Sequence, residues 1–269
     1  MKEVVRLRRF FFILISGFIG IYFYNEYLNY KPIVKCETVY IDNLAKEFEG
    51  FTILQFGDLH SVQFGENQER LTSIINNLSF DMVAVVGDVI DRHQRDVTPF
   101  LELMAGIEAD VPMFFVEGNV DEPSEVDEIR SFGLEMLDEA YTFRRNGSEL
   151  IVMKYHFNHP LTEAYEHKTV VGLGHEPLPQ DLGYDLILVG HYHGGQVRIP
   201  GYGAIFIPNI DGQRWLPSQS DVMGIQEFDG YSQFITAGLG ASSSIKWLEK
   251  RWFNPPEINI ITLSNKKIN

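Results

Sequence analysis

Six short polar clusters, each at the end of an apolar run, constrain the fold of this chain more than any other feature. They are GDLH (57–60), GDVID (87–91), GNVD (118–121), GHEP (174–177), GHYHGGQ (190–196) and AGLG (237–240). Five of them carry Asp, Asn or His in the first positions after a β-like stretch. Because α/β sheets present their binding groups at the carboxyl ends of strands, the pattern predicts one site built from several strand ends.

The spacing of apolar residues predicts two halves of different character. Up to residue 132, strands at 33–41, 51–56, 82–86 and 113–116 alternate with helices over 67–78, 100–107 and 125–132, which indicates parallel βαβ units. Beyond residue 133, short β segments dominate, at 150–155, 169–173, 186–189, 197–199, 234–236 and 258–263. We therefore predict an α/β fold in which two sheets pack face to face with helices outside.

The polar clusters supply seven side chains that could bind metal: Asp58, His60, Asp88, Asn119, His175, His191 and His193. Asp58 and His60 are two residues apart and could converge on one ion, and Asp88 is the natural bridging carboxylate. Mixed carboxylates and imidazoles suit Mn, Fe, Zn or similar divalent ions rather than Ca. Two ions about 3.5–4 Å apart that share Asp88 could activate a bridging water for in-line attack on phosphorus. Each cluster alone could instead be a helix cap or an ordinary turn, and only the combination predicts a two-metal site.

Several polar residues near these clusters remain open to more than one interpretation. His175 and His159 both closely precede a proline, and we prefer His175 as the ligand because it ends an apolar run. We expect His156, His159 and His167 to be polar loop residues. Asp91 is expected to orient a metal ligand without binding the metal itself, and Asp121 either does the same or is a plain turn residue.

The N-terminus resembles a membrane anchor. Lys2, Arg6, Arg8 and Arg9 precede an uncharged run over residues 10–24, and tyrosines crowd its far end. Fifteen residues cover only about 22 Å of a hydrocarbon core near 30 Å, although snorkelling and bilayer thinning could make up the difference. A cleaved signal peptide opens in the same way, but no small-x-small cleavage site follows, and a buried helix of a soluble protein is disfavoured.

We therefore predict one N-terminal transmembrane helix in an anchor over residues 1–31 and a single domain over residues 32–269. Because the positive flank should stay in the cytoplasm, the protein would be a single-pass cell-membrane protein with an extracytoplasmic domain.

The charge of the domain argues against nucleic acid as a partner. Residues 32–269 carry 17 Lys or Arg against 35 Asp or Glu, a balance of −18, and show no basic stripe. A single cysteine, Cys36, excludes an intramolecular disulfide and a cysteine metal cluster.

The motifs together resemble the calcineurin-like metallophosphoesterase superfamily, in particular its membrane-anchored bacterial branch. The similar stretches include FTILQFGDLHS, VVGDVID, EGN-x-D, H-x-P, DLILVGHYHGGQVRIP, AGLG and NPPEI, and GHYHGGQ is the most specific. The resemblance implies a double β-sheet sandwich flanked by helices in α-β-β-α layers. It also implies one metal held by Asp58, His60, Asp88 and His193, and another held by Asp88, Asn119, His175 and His191.

The implied function is metal-dependent phosphoester hydrolysis with a bridging hydroxide as nucleophile. The substrate would be a phosphomonoester, a phosphodiester or a lipid-linked pyrophosphate at the membrane surface. Manganese is among the expected metals, and the residues expected to act in catalysis are Asp58, Asp88, Asn119 and His191.

Val120 departs from the pattern of the family. The third motif of the family reads Gly-Asn-His, whereas this chain has GNVD, with Val120 in place of the histidine. That histidine is thought to stabilise the transition state or protonate the leaving oxygen, a contribution of about 10²–10⁴ in rate. His93, His156, His159 or Tyr192 could substitute for it. The alternative function is accordingly a catalytically weak metal-binding relative with a binding or scaffold role.

Overall fold

The computed structural model describes the chain apart from residues 1, 133, 156–159, 178–179, 210–211, 244–248 and 268–269. Four α-helices are present in the described part, α1 (Lys2–Asn29), α2 (Glu69–Ile75), α3 (Thr98–Gly106) and α4 (Pro123–Ser131). The strands are β1 (Ile33–Tyr40), β2 (Thr52–Phe56), β3 (Met82–Val85), β4 (Met113–Phe115), β5 (Glu135–Met136), β6 (Tyr141–Arg145), β7 (Ser148–Lys154), β8 (Thr169–Leu173), β9 (Leu186–Val189), β10 (Arg198–Ile199), β11 (Gly203–Ala204), β12 (Phe206–Asn209), β13 (Gly212–Trp215), β14 (Gly224–Glu227), β15 (Ser232–Ile235) and β16 (Glu257–Ser264).

The strands form two mixed six-stranded sheets and two small hairpins. The first sheet has the order β1-β16-β2-β3-β4-β5, and the second has the order β14-β15-β9-β8-β7-β6. Within the first sheet β2, β3 and β4 are neighbouring parallel strands, and within the second β8, β9 and β15 are. In each sheet, the carboxyl ends of these three strands therefore lie side by side.

Alternation along the central strands divides the core into layers. In β3, Met82 and Ala84 face the core between the sheets, whereas Val83 and Val85 face the outer layer of the first sheet. That period of two is what a strand buried on both faces requires. The second sheet contributes Val152, Val171, Leu186 and Phe234 to the core between the sheets.

Helices cover only one outer face in the described part of the chain. Residues of α2, α3 and α4 pack on the first sheet, and α4 begins with a capping box between Glu122 and Glu125 that satisfies its first amides. The outer face of the second sheet packs instead against loop side chains, among them Tyr155, Leu182 and Tyr184. The mixed α/β fold with two sheets is confirmed, but the fourth, helical layer was predicted wrongly for the described residues, because bulky tyrosines and leucines from loops bury that face.

The N-terminal helix α1 is longer than the apolar run that predicted it. Its last turns contact the domain, since Lys250 Nζ donates to Tyr22 Oη at 3.0 Å and lies 3.1 Å from Glu26 Oε1. Large apolar side chains from Leu7 to Phe23 are exposed. Among the described residues, no helix combines the length and apolar character that crossing a bilayer requires. The predicted transmembrane helix is therefore not supported, because an apolar run of about 22 Å is shorter than the hydrocarbon core.

Candidate metal centre

All six polar clusters lie at one end of the two sheets. GDLH, GDVID and GNVD follow β2, β3 and β4, and GHEP, GHYHGGQ and AGLG follow β8, β9 and β15. Because each trio of strands is parallel, their carboxyl ends share an edge, and the two edges meet across the core. The seven side chains predicted as ligands converge there.

A first group of ligands is fully buried. Atoms of Asp58, His60, Asp88 and His193 that could bind one ion all lie within 4.8 Å of one another. Nε2 of His60 and Nε2 of His193 are 3.3 Å apart, and each faces a carboxylate oxygen, at 3.8 Å on Asp88 and 3.7 Å on Asp58.

A second group surrounds the other side of Asp88 and is more open to solvent. Oδ2 of Asp88 lies 3.2 Å from Nε2 of His175, which lies 3.0 Å from Oδ1 of Asn119. Nδ1 of His191 lies 3.0 Å from the same Asn119 oxygen and 3.2 Å from Nε2 of His175. Asn119 is exposed and His191 half-buried, so this side of the cluster faces the surface.

The donor set fits divalent cations. A cation bound by imidazole nitrogen at about 2.0–2.1 Å separates neighbouring donor atoms by about 2.8–3.4 Å, from the geometry of octahedra and tetrahedra. The measured spacings, from 3.0 to 3.8 Å, match or slightly exceed that range. Four buried carboxylate and imidazole groups whose binding atoms point at one another are what a hard or borderline cation requires.

Backbone carbonyls orient three of the four imidazoles. Nδ1 of His60 faces the carbonyl of Ile90 at 3.2 Å, and Nδ1 of His175 faces that of Val86 at 2.8 Å. Nδ1 of His193 faces the carbonyl of Gly240 at 3.4 Å. A proton on each Nδ1 leaves Nε2 free to bind a cation, which is the usual arrangement around metal-binding histidines. His191 differs, because its Nδ1 points into the centre.

The backbone is left-handed at five of the seven predicted ligands: Asp58, His60, Asp88, His191 and His193, with φ between 47° and 74°. Close approach also requires glycine on the neighbouring loop. Gly238 has φ of +70°, and a Cβ there would lie 2.6 Å from the Cβ of Asp58. The clusters therefore turn sharply and pack on one another without intervening side chains.

Asp121 holds the turn that carries Asp88. Its Oδ2 accepts the amides of Asp88 and Gly118 at 2.8 and 2.9 Å, and its Oδ1 accepts those of Val89 and Ile90 at 3.0 and 3.2 Å. Of the two predicted roles, the support of a ligand is the one that these contacts indicate. Asp91 contacts its own loop, since its Oδ1 accepts the amides of His93 and Gln94, and its charge partly offsets the lowering of the pKa of His60 by burial.

Burial and mutual charge perturb the ionisation of the cluster. Burial raises the pKa of Asp58 to about 7 and lowers the pKa values of His60 and His193. Burial alone would lower the pKa of His175, but the contact with Asp88 raises it to about 10, and the same contact holds the pKa of Asp88 below its usual range against the effect of burial. Without a cation, Asp88 and His175 therefore form an ion pair.

Val120 is buried beside Asp88 and offers no proton. Its amide donates to Oδ1 of Asp88 at 2.8 Å, and its side chain is 5% exposed. His93, predicted as a possible substitute, is engaged elsewhere, because its Nε2 lies 3.0 Å from the carbonyl of Ser243 and 3.2 Å from Glu249 Oε1. Tyr192 stands beside His191, with ring centroids 5.7 Å apart.

His156 and His159 lie outside the described residues, and His167 lies in an exposed turn before β8.

One buried cation near the centre was missed by the sequence analysis. Arg251 is 2% exposed and donates to three backbone carbonyls, those of Ala237, Gly240 and Asn254. Burial lowers its pKa to about 10, so the guanidinium stays charged at neutral pH. An arginine in the sequence RWFNPP carries no motif, and only the fold brings it to the AGLG cluster.

Comparison with known proteins identifies relatives of this chain. The model of the calcineurin-like phosphoesterase family matches residues 51–195. The YkuE metallophosphoesterase of Bacillus subtilis (strain 168) is 25% identical, with 91% of each chain covered. The Cj0846 metallophosphoesterase of Campylobacter jejuni is 25% identical over 88% of this chain and 64% of its own length. The structure of vacuolar protein sorting 29 from Cryptosporidium parvum superposes with a TM-score of 0.38 at 14% identity, over 80% of this chain and 86% of that one.

The chain therefore belongs to the calcineurin-like phosphoesterase family. It is a phosphoesterase hydrolase that uses divalent metal.

Proposed function

We propose that this calcineurin-like phosphoesterase works with two divalent ions held by seven side chains that share one carboxylate. The first ion would be held by Asp58, His60, Asp88 and His193, and the second by Asp88, Asn119, His175 and His191. The observation that carries the proposal is the position of Oδ2 of Asp88, which lies 3.8 Å from Nε2 of His60 and 3.2 Å from Nε2 of His175. One oxygen therefore faces both groups of ligands.

The bound ions would supply Lewis-acid activation of water and neutralise charge on the phosphoryl group. Around the ions, the protein holds the ligand side chains in place. Carbonyls fix the imidazole rings of His60, His175 and His193, and the amide of Val120 fixes Asp88. Because Asn119 is exposed and His191 half-buried, the substrate phosphate would approach from their side. Asp58, Asp88, Asn119 and His191 are accordingly the residues that we assign to catalysis.

Val120 favours substrates whose leaving group needs no proton. A phosphate leaving from a pyrophosphate bond, or a phenolate, departs as a stable anion, whereas an alkoxide requires an acid. With Val120 buried and His93 bound elsewhere, a phosphoanhydride or aryl ester suits the site better than an alkyl ester. The weak metal-binding relative remains the second candidate, and only Val120 favours it.

Metal analysis followed by a phosphoester panel tests the two-metal site. The purified chain should bind two equivalents of Mn²⁺, Zn²⁺ or Fe²⁺ and hydrolyse aryl phosphomonoesters, aryl phosphodiesters or a lipid pyrophosphate. Asp88→Asn should lose metal and activity together. Asp81→Asn is the matched control, since Asp81 caps the amide of Thr52 far from the cluster and pairs with Arg145. Fewer than two equivalents in metal-replete wild-type protein would refute the shared carboxylate.

We also propose that α1 attaches the enzyme to a membrane surface. Exposed Phe10, Phe11 and Phe12 follow cationic Arg8 and Arg9, a combination that favours an anionic bilayer surface. A lipid-linked pyrophosphate would then be a substrate located in the same membrane as the enzyme. In a flotation assay with vesicles that contain anionic lipid, the full chain should float with the vesicles. The triple variant Phe10→Glu, Phe11→Glu, Phe12→Glu should not float. Equal behaviour of the two proteins would refute the attachment.

A further inference from the structure

Arg251 is a buried cation whose three hydrogen-bond partners all lie beside the metal centre. Nε donates to the carbonyl of Asn254 at 2.8 Å, Nη1 to that of Gly240 at 2.6 Å, and Nη2 to that of Ala237 at 2.8 Å. A planar guanidinium presents donors in a fixed fork, so it holds these three carbonyls at set positions relative to one another. A flexible ammonium could not do so.

The segment that Arg251 holds touches two of the predicted metal ligands. The carbonyl of Gly240 faces Nδ1 of His193 at 3.4 Å, and the amide of Gly240 donates to the carbonyl of Asp58 at 2.6 Å. Asn254 makes a second connection, since its Nδ2 donates to the carbonyl of His193 at 2.7 Å. The ring and the backbone of His193 are therefore both positioned by groups bonded to Arg251.

The other end of this network is the last part of α1. Asn25 is 1% exposed, its Nδ2 donates to the carbonyl of Arg251 at 2.7 Å, and its Oδ1 accepts the amide of Phe253 at 2.8 Å. This side chain of the helix thus bonds to the backbone on both sides of Trp252, and Nδ2 of Asn29 donates to the same carbonyl of Arg251 at 3.2 Å. The Trp252 ring in turn packs near Tyr22, with centroids 6.2 Å apart.

We propose that Arg251 and Asn25 are positioning residues for the metal ligand His193, so that the seating of α1 on the domain sets the affinity of the first metal site. The inference rests on the metal-binding function proposed above. It adds residues outside every polar cluster and connects the N-terminal helix to the centre. Neither residue touches the cation, and both act through the carbonyl of Gly240 and through Asn254.

Cobalt titration of the full chain tests the connection, because Co²⁺ reports its own coordination in visible absorption. Arg251→Met should weaken Co²⁺ binding at one of the two sites about 10- to 100-fold and change the spectrum of the bound ion, as loss of a group that orients a ligand does. Arg251→Lys, which keeps the charge but not the fork, should restore only part of the affinity. Asn25→Ala should weaken binding about 10-fold, at the lower end of that range.

Two matched variants control for general destabilisation. Glu26→Gln changes the neighbouring residue of α1, which pairs with Lys250 rather than with Arg251. Arg145→Met removes an arginine that pairs with Asp81 and stacks on Phe51 away from the centre. Both should lower the unfolding temperature at most and leave the cobalt spectrum and affinity as in the wild type.

The outcomes separate this inference from the function on which it rests. If the wild type binds no Co²⁺, the metal-binding function fails. If the wild type binds Co²⁺ and Asn25→Ala has the same Co²⁺ affinity and spectrum as Glu26→Gln, the connection to α1 is overturned. If Arg251→Met also has the same affinity and spectrum as Arg145→Met, the whole inference is overturned. Should Arg251→Met not fold, Asn25→Ala decides, because that residue lies on the helix and not in the AGLG segment.

Discussion

Replacing Asp121 by asparagine should destabilise the metal-free protein and weaken metal binding. The carboxylate accepts four backbone amides, two on each oxygen, and three of them belong to the consecutive buried residues Asp88, Val89 and Ile90. The fourth belongs to Gly118. An asparagine presents one oxygen and one NH₂ group, so one pair of amides would face a donor instead of an acceptor.

The magnitude follows from that count of lost acceptors. Each buried donor left without a partner costs about 1–3 kcal/mol, so the two together should lower the free energy of unfolding by about 2–6 kcal/mol. The turn also keeps Asp88 left-handed at φ of 51°, a conformation that costs about 1–2 kcal/mol for an L-residue. Release of the turn should therefore reduce cation affinity as well as stability.

Urea unfolding of the metal-free protein, with and without the substitution, measures the first effect, and cation titration measures the second. Asp96→Asn is the control, because Asp96 accepts a single amide, that of Thr98, at an exposed helix start where an amide oxygen can replace a carboxylate oxygen. Its expected effect is below about 0.5 kcal/mol. If Asp121→Asn cost less than about 1 kcal/mol and bound metal normally, the carboxylate would be an ordinary turn residue and the account of four satisfied amides would be wrong.

Three further predictions concern the chemistry of the site. Val120→His should raise the turnover of alkyl phosphoesters by a factor of about 10²–10⁴ and barely change that of p-nitrophenyl esters. Val120→Leu is the control for side-chain size. An equal gain on both substrates would contradict the idea that the site lacks a general acid. Gly238→Ala should abolish metal binding, because the added Cβ would meet Asp58. Gly224→Ala is the control, since Gly224 has φ of +89° but open space where a Cβ would lie. Equal losses in the two variants would point to backbone strain rather than to contact with Asp58. Metal binding at pH 8 should release a proton from His175, because the pKa of this group in the metal-free protein is about 10, and the affinity for metal should therefore fall as the pH falls. Calorimetry in buffers of different ionisation enthalpy measures the released proton. A binding enthalpy that does not depend on the buffer would speak against it.

The strands that carry the site could be predicted because burial on both faces makes them continuous apolar runs. β2, β3, β8 and β9 were all predicted within a residue or two of their bounds. The two edge strands of the second sheet were missed. β6 (YTFRR) and β14 (GIQE) are half-exposed and exist only because a neighbouring strand pairs with them, which no local pattern announces.

The convergence of the seven predicted ligands could be anticipated for a topological reason. Parallel neighbours end at the same edge of a sheet, so polar residues that follow them must meet, whatever the loops contribute. The network around Arg251 could not be anticipated, because the bond from Asn25 to Arg251 spans 226 residues and its acceptors are backbone carbonyls that any residue possesses. A side chain that bonds to backbone carbonyls far away along the chain leaves no signature in the sequence.

The left-handed turns explain why residues that bind no cation matter for the metal. Asp and His enter this backbone region more readily than most residue types, so the side chains that bind cations also suit the sharp turns after the strands. Suitability does not remove the cost, and five left-handed ligands persist only where the surrounding contacts over-determine them. Asp121 fixes the turn of Asp88 through four amides, and Arg251 fixes the segment on which Asp58 and His193 rest. The affinity for cations therefore depends on buried polar groups that never touch one, and a chain with all seven ligands intact can still lose its metal through a change at either of these positions.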